Sequence, residues 1–257
     1  MNTSEISYLS ILSLFILIIP IIIINIKLHI KINRKIFCAI GRMAIQLSLV
    51  GVFLQYIFEI NNNFINLFYI VIMIIVASLS ALKSCNFNKK KFIIPLFLAF
   101  LIPNFVVLLF FNTFVIRSSF SFDAKFIIPI GGMLLGNTLS GNIICINNFY
   151  NLIRQNKNEY FYSLSLSGNK IDSLTPYFKN ALLASINPTI ASIETIGLVS
   201  LPGMMTGQIL GGTVPVTAIK YQIAIMIAIL IARYFSAWLS ILFTSIIAFD
   251  EYDILQI

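Results

Sequence analysis

Seven apolar runs, each long enough to cross a lipid bilayer as a helix, make up most of this 257-residue chain. A transmembrane helix needs about 20 consecutive apolar residues, and the runs cover 6–26, 36–58, 64–82, 92–114, 126–149, 181–212 and 221–249. They lack the period-two alternation of a membrane β-barrel, so their backbone groups must be satisfied within helices. The sequence predicts an all-α, polytopic transmembrane helical bundle of about seven spans.

Composition leaves no room for a second, water-facing domain. Hydrophobic residues make up 59% of the chain and charged residues only 10%, whereas a soluble protein carries about 25% charged residues. We therefore expect residues 1–257 to form a single membrane-spanning domain in the bilayer of the plasma (inner) membrane. The first run lacks a small-residue cleavage site, so we interpret it as a span and not as a signal peptide.

The net charge of +8 is explained by membrane topology, and nucleic-acid binding is not expected. Inside loops of membrane proteins are enriched in Lys and Arg. If the N-terminus is outside, twelve bases fall in inside loops and only Arg117 and Lys125 fall outside. This distribution predicts an outside N-terminus and an inside C-terminus, whereas an even number of spans would place the C-terminus outside.

The longest polar stretch on the predicted inside face is the segment 150–180. Its helical character is combined with low hydropathy, and Leu164, Leu166 and Ile171 give it an exposed apolar edge. Such an edge needs a partner. Two interpretations remain open: a docking surface for another protein, or an amphipathic helix lying on the bilayer.

The segment 197–212 contains Pro202, which removes a backbone donor and disfavours helix before it. We expect the sixth run to be broken or kinked there, as one kinked span or as a re-entrant pair. One interpretation of the break is that it exposes helix ends to a permeating solute. The other is simple helix packing, because glycines spaced by four give a smooth helix face. The glycines with this spacing are Gly132, Gly136, Gly203, Gly207 and Gly211.

A few polar side chains interrupt the apolar runs, and such residues usually face the interior of a bundle. They are Arg42, Gln46, Asn137, Asn142, Glu194, Lys220 and Arg233. The cysteines show no metal-ligand spacing and no disulfide framework. Met204 and Met205 offer thioethers that suit a transient soft metal or adaptable packing.

Several strings, in order, resemble the FetB-type permeases of bacterial ABC exporters and the related aluminium-sensitive membrane proteins of plants. They are GRMAIQLSLVGVFLQYIF from Gly41, IPIGGMLLGN from Ile128, INNF from Ile146, and GLVSLPGMMTGQILGG from Gly197 leading into PVTAIKYQI. The resemblance implies a membrane subunit that works with a separate ATPase, in a family linked to iron export in bacteria and to aluminium tolerance in plants.

The chain lacks a phosphate-binding loop and the common hydrolase motifs, so we expect a transport subunit and not an enzyme. It would bind no cofactor, and ATP and Mg would sit on the partner ATPase. One segment resembles the Leu-x-Leu-Gly-Ala-Thr coupling element of the family. Its residues are Leu164, Ser165, Leu166, Ser167, Gly168 and Asn169, with Ser167 and Gly168 departing from the family pattern.

Two further departures suggest an ion pair. Glu194 stands where the family usually has Lys, and Arg233 stands where it has a small residue. Because a lone charge in lipid is costly, we predict that these two residues pair between the sixth and seventh spans. Alternatively, Glu194 lines the solute path.

The resulting expectation is a homodimeric, multi-pass permease that exports a metal ion or small solute. The predicted path is lined by Arg42, Gln46, Asn137, Asn142, Glu194, Ser200, Pro202, Gly203, Met204, Met205 and Gln208. No resident metal site is expected, because carboxylates in excess are absent. The alternatives are an ATPase-independent secondary transporter or channel, an ABC permease for a sugar nucleotide or other small organic solute, and a structural or sensory protein.

Overall fold

The structure, a computed structural model, describes residues 8–116 and 122–256. The described residues form ten α-helices, one short 3-10 helix (Leu14–Ile18) and a π-helical turn (Phe111–Ile116) that extends α5. The α-helices are α1 Tyr8–Ser13, α2 Ile19–Lys27, α3 Asn33–Ile60, α4 Asn63–Ser84, α5 Lys89–Phe110, α6 Ala124–Gln155, α7 Lys157–Ser167, α8 Lys170–Thr195, α9 Gly203–Leu210 and α10 Pro215–Ala248. The all-α prediction is confirmed, and the chain is a multi-pass membrane protein.

Five helical segments have the length and hydropathy of a membrane span. They are Asn33–Ile60, Asn63–Ser84, Lys89–Ile116, Ala124–Gln155 and Pro215–Ala248. The described part of the first apolar run is divided into shorter helices, of which Leu14–Lys27 is the apolar portion. The sixth run is also not one helix, because α8 begins in the polar segment and ends at Thr195. The count of seven spans and the orientation stay predictions.

Asn and Asp side chains begin four of the described helices. Asn62, Asn88, Asp123 and Asn169 each accept a hydrogen bond from the backbone N–H two residues later, at 2.9–3.1 Å. This bond satisfies a donor that the first helical turn leaves unpaired. Polar residues between apolar runs therefore fix where α4, α5, α6 and α8 start.

The chain falls into two compact units. In the first, which holds residues 8–60 and 210–212 of the described chain, Asn25 Nδ2 donates to Asn33 Oδ1 at 2.7 Å and links α2 to α3. In the second, which holds residues 61–209 and 213–256, α6 packs against α4, α5, α8 and α10. The core of the second unit includes the fully buried side chains Ile74, Leu96, Phe100, Leu134, Ile146 and Ile225.

Buried polar bonds join three helices of the second unit. Asn142 Nδ2 on α6 donates to Ser236 Oγ on α10 at 2.8 Å, and Ser236 donates to the carbonyl of Ala99 on α5 at 2.9 Å. Nearer the end of α6, Tyr150 donates to Thr244 Oγ1 on α10 at 2.8 Å. Hydroxyl and amide groups of this kind link helices that lie in apolar surroundings.

The predicted break at Pro202 is present. Helix α8 ends at Thr195, Gly197 adopts a left-handed φ of +85°, and its N–H donates to the carbonyl of Ser200 at 3.0 Å. Helix α9 then starts at Gly203, directly after the proline. The residues of the break thus form a tight turn between two helices.

A short hairpin follows α10. Asp250 accepts hydrogen bonds from the backbone N–H groups of Tyr252 and Ile254. The backbone N–H of Gln256 donates a hydrogen bond to the carbonyl of Ala248 at 2.8 Å. These bonds fold residues 249–256 into a compact tail, called the tail hairpin below.

Candidate functional site

A cavity of about 430 Å³ lies next to the break, among α6, α8, the start of α9 and α10. We call it the polar cavity. Its polar lining residues are Asn137, Thr189, Ser192, Gln222 and Arg233. Its other lining residues are Met133, Pro188, Pro202, Gly203, Met204, Ile225, Met226 and Ile229. All of them belong to the second unit.

Three buried polar atoms of the polar cavity make no hydrogen bond: Thr189 Oγ1, Gln222 Oε1 and Arg233 Nε. The three residues are only 4%, 6% and 5% exposed. A buried polar atom without a hydrogen-bond partner destabilises the folded state by about 1–3 kcal/mol. Most buried polar atoms in folded proteins therefore have a partner. All three residues line the same cavity, which suits a binding site for a polar solute.

Arg233, a lining residue of the polar cavity, packs against Gly141 of α6. A Cβ atom added to Gly141 would lie 2.7 Å from Arg233 Nε and 2.8 Å from Arg233 Cγ. Any residue larger than glycine at position 141 would therefore displace the guanidinium. The carbonyl of Gly141 accepts a hydrogen bond from Ser185 on α8 at 2.9 Å, which holds this part of α6 in place.

The polar cavity carries positive charge and no carboxylate among its lining residues. Throughout the described residues, no group of three or more His, Cys, Asp or Glu side chains is placed to hold a metal ion. What the cavity offers instead is one guanidinium, amide and hydroxyl groups, and the thioethers of Met133, Met204 and Met226.

A larger groove of about 500 Å³ lies between α8 and α10, next to Phe178 and Trp238. Three of its polar lining side chains already have partners: Lys170 pairs with Asp253, and Thr175 and Ser245 donate to backbone carbonyls. No buried side-chain atom of this groove is left without a hydrogen bond among the described residues. The polar cavity is therefore the better candidate for a solute site.

The turn between α7 and α8 forms the second notable feature. Gly168 ends α7 with a left-handed φ of +61°, and Asn169 then caps α8. On either side of the turn, Leu166 and Ile171 are 71% and 73% exposed, whereas Leu164 is half-buried and packs against the core. The apolar edge predicted for this segment thus consists of Leu166 and Ile171, without Leu164.

A family profile described as "Uncharacterised protein family (UPF0014)" matches residues 8–249. The chain belongs to this UPF0014 family. The match covers both compact units, including the polar cavity and the α7–α8 turn. No solved structure matches the chain.

Among its relatives, the UPF0014 chain is 31% identical over 230 residues to "Probable iron export permease protein FetB" of Escherichia coli (strain K12), covering 90% of this chain and 87% of that protein. It is 28% identical over 206 residues to "Protein ALUMINUM SENSITIVE 3" of Arabidopsis thaliana, covering 80% and 74%. It is also 27% identical over 203 residues to "UPF0014 membrane protein STAR2" of Oryza sativa subsp. japonica, covering 79% and 70%. The family resemblance drawn from the sequence motifs is thereby confirmed.

Some of the residues predicted for the path of this UPF0014 protein meet around the polar cavity, namely Asn137, Pro202, Gly203 and Met204. Others lie elsewhere. Asn142 is buried in the contact with Ser236, Met205 is buried outside the cavity lining, and Gln208 is half-buried with an unpartnered Oε1. Ser200 is exposed, and Arg42 and Gln46 are exposed side chains of α3 in the first unit.

The predicted ion pair between Glu194 and Arg233 is not made. Within the described residues the only ion pair joins Lys170 and Asp253. Arg233 turns towards Gly141 on α6, whereas Glu194 lies in the last turn of α8 with an exposed side chain. The prediction is wrong because the sequence does not show that a glycine opens a place for Arg233 on a different helix.

The predicted glycine packing faces are only partly present. A Cβ atom on Gly132 would lie 3.4 Å from Met73 Cε on α4, which is ordinary van der Waals contact between α6 and α4. A Cβ on Gly136, Gly203 or Gly207 would meet nothing within 4 Å. Gly211 lies in the turn after α9, outside the helix. Within the described residues of this UPF0014 chain, the closest glycine contact is at Gly141, which does not belong to the four-residue series.

Sequence reasoning missed Thr189 and Gln222 of the polar cavity. Gln222 interrupts the last apolar run and had the same signal as Asn137, a costly amide within a span. Thr189 had no such signal, because a threonine hydroxyl can bond to a carbonyl of the preceding turn of its own helix. Only the structure shows that its hydroxyl stays free.

Proposed function

We propose that this UPF0014 protein is the membrane subunit of an ATP-driven ABC exporter that moves a metal ion or another small solute across the plasma membrane. A separate ATPase subunit, which binds ATP and Mg, docks on the α7–α8 turn. The Escherichia coli relative is named as a probable iron export permease, which supports iron as the first cargo to test.

The observation that carries the proposal is the exposed apolar pair Leu166 and Ile171 on either side of a tight turn. Local bonds hold the turn: Gly168 takes a left-handed conformation, Asn169 Oδ1 accepts from Ile171 N–H at 3.0 Å, and Asn169 Nδ2 donates to Asp172 Oδ2 at 3.0 Å. Apolar side chains presented on a turn held in this way fit a protein partner, because docking costs little conformational entropy.

A path for mechanical coupling supports the same function. Helix α8 starts in the α7–α8 turn and reaches Thr189 and Ser192 of the polar cavity. Lys170, the first residue of α8, also holds the tail hairpin that ends α10, the helix of Gln222 and Arg233. Movement of the docked turn would therefore reach the cavity through two packed helices.

The proposed transport unit contains two copies of the chain and two ATPase subunits, with the N-terminus of each chain outside and the α7–α8 turn inside. The distribution of Lys and Arg supports this orientation, because the bases cluster on the side that holds the turn.

The test uses an N-terminally tagged chain, purified from its own cells with the ATPase subunit that stays bound and returned to lipid vesicles. We expect iron movement that requires Mg and ATP. The double variant Leu166→Asp with Ile171→Asp should lose both ATP hydrolysis and iron movement, since charges on the apolar edge oppose docking. The matched control Tyr252→Ser changes an exposed aromatic residue of the tail hairpin and should retain both activities.

Two results would contradict the proposal. Iron movement at the same rate without ATP would favour a gradient-driven transporter or a channel. Unchanged ATP hydrolysis and transport in the double variant would show that the α7–α8 turn is not the docking surface.

A further inference from the structure

We infer that the polar cavity binds an oxyanion that also carries a hydroxyl group, held at Arg233, and that a metal cargo enters it as an anionic complex and not as a bare cation. This inference rests on the proposed function only in placing the cavity on the transport route. The ligand chemistry is drawn from the cavity itself.

Arg233 determines that the ligand of the polar cavity is negatively charged. A guanidinium stays protonated in proteins, and a buried charge without a counter-charge is strongly unfavourable. No carboxylate lies within ion-pair distance of Arg233 among the described residues. A bound anion would supply the missing charge beside a residue that is only 5% exposed.

The unpartnered atoms determine which hydrogen-bonding groups the ligand carries. Arg233 Nε is a donor, and the hydroxyl of Thr189 is a donor that suits an oxyanion oxygen. Gln222 Oε1 can only accept, so it requires a donor on the ligand. A ligand with both negatively charged oxygens and an O–H group satisfies all three. Hydroxycarboxylates and hydrogen phosphate share this chemistry.

The same lining disfavours a free metal cation. Hard cations prefer carboxylate oxygens, and the polar cavity has none. The thioethers of Met133, Met204 and Met226 are ligands for soft metals, but the positive charge of Arg233 repels any cation beside it. A ferric ion bound by two citrate trianions removes this conflict, because such a complex has a net negative charge while its hydroxyl groups stay protonated. A volume of about 430 Å³ lies in the range of small-ligand sites, about 300–1,000 Å³.

The test measures binding by calorimetry to the full chain in lipid nanodiscs, with its ATPase subunit attached and ATP absent. The probes are citrate, inorganic phosphate, the ferric citrate complex and Fe²⁺ alone. We expect citrate, phosphate or both to bind, the comparison between them assigning the carboxylate or the phosphate form. Ferric citrate should compete for the site, and Fe²⁺ alone should not bind there.

Variants link the binding to the cavity. Arg233→Gln should weaken anion binding about tenfold or more, as expected for a hydrogen bond to a charged group, and Arg233→Lys should restore part of it. Thr189→Val should weaken it by a smaller factor, and Thr189→Ser, which keeps the hydroxyl, should restore it. Thr195→Val, an exposed threonine of the same helix, is the matched control and should change nothing. If Arg233→Gln does not fold, the Thr189 series decides.

The inference is overturned if neither anion binds, if Fe²⁺ alone binds and Arg233→Gln strengthens it, or if Thr189→Val and Thr195→Val behave alike. The proposed function is tested by a different variant and a different measurement. Leu166→Asp with Ile171→Asp acts on ATP-driven transport, whereas the anion site lies in another part of the second unit and should keep its affinity in that double variant.

Discussion

Lys170 Nζ lies 2.6 Å from Asp253 Oδ1, which joins the first residue of α8 to the tail hairpin after α10. The same ammonium group sits over the Phe249 ring, 4.4 Å from its centroid. Tyr160 of α7 adds a hydrogen bond from its hydroxyl to the Asp253 carbonyl at 3.0 Å. Three helices therefore meet at the tail hairpin, next to the turn on which the ATPase is proposed to dock.

Breaking the ion pair should affect coupling more than stability. Both side chains are about one-third exposed, so water and salt weaken the attraction, and such a pair contributes less than about 1 kcal/mol. We expect Asp253→Asn to lower the free energy of unfolding by that amount at most, and to lower iron movement per ATP hydrolysed. The charge exchange Lys170→Asp with Asp253→Lys should recover part of the coupling. Equal coupling in the single variant and the wild type would contradict this role of the tail hairpin.

Tyr160→Phe should destabilise the contact between α7 and the tail hairpin. Its side chain is buried, and the variant leaves the Asp253 carbonyl without its donor. The loss of one such hydrogen bond costs about 1 kcal/mol, which a denaturant titration in detergent can measure. Tyr162→Phe changes an exposed tyrosine of the same helix and should have no comparable effect.

Tyr160 should also make stability depend on pH in the alkaline range. Burial, and then the carboxylates of Asp253 and Asp250, raise the pKa of Tyr160 to about 12 from 10.0. The native state thus holds the phenol proton at pH values where the unfolded chain has released it. The corresponding stability is fully present below pH 10 and is lost as the pH rises through 12. The free energy of unfolding measured from pH 9 to pH 12 should decline more steeply in the wild type than in Tyr160→Phe, which keeps the contribution of Tyr177, whose pKa burial also raises.

Gly141→Ala should be damaging, and Gly136→Ala should be tolerated. At Gly141 the new methyl group would collide with the buried stem of Arg233, and overpacking of this kind costs about 1–3 kcal/mol. At Gly136 a methyl group meets nothing within 4 Å, so the better helix propensity of alanine should stabilise α6 by up to about 1 kcal/mol. Thermal unfolding of both variants tests the contrast. Adding Arg233→Ala to Gly141→Ala should remove the collision, and no rescue by it would count against the steric explanation.

Ser236→Ala should weaken the link between α5, α6 and α10. The variant leaves Asn142 Nδ2 and the Ala99 carbonyl without their shared partner, and bonds between membrane helices contribute about 0.6 kcal/mol on average, up to about 1.7. Ser245→Ala removes an exposed hydroxyl that bonds only within its own helix, and it should leave the unfolding temperature unchanged. Identical unfolding of the two variants would show that the link carries no stability.

The sequence predicts features that depend on neighbouring residues. Pro202 and the glycines around it indicate the break, because their effect on the backbone is local. Gly168 and Asn169 mark the α7–α8 turn for the same reason. The apolar character of the long helices follows from composition alone, and the family follows from ordered motifs.

Relationships between distant residues could not be predicted in this way. Glu194 and Arg233 have complementary charges, but pairing also requires that the two side chains point towards each other, and the orientation of each depends on how α6, α8 and α10 pack. The glycine series at Gly203 and Gly207 indicates a smooth surface without indicating whether a helix covers it. The apolar run that ends in α9 gave no sign that α8 would start within the polar segment.

The contact between Gly141 and Arg233 also constrains the history of the chain. An arginine at position 233 fits best in a sequence that already has glycine at position 141, because a Cβ atom there would lie within 3 Å of the arginine side chain. Once the arginine is in place, a larger residue at position 141 destabilises the fold. We therefore expect the two positions to be inherited together, with glycine preceding arginine in descent.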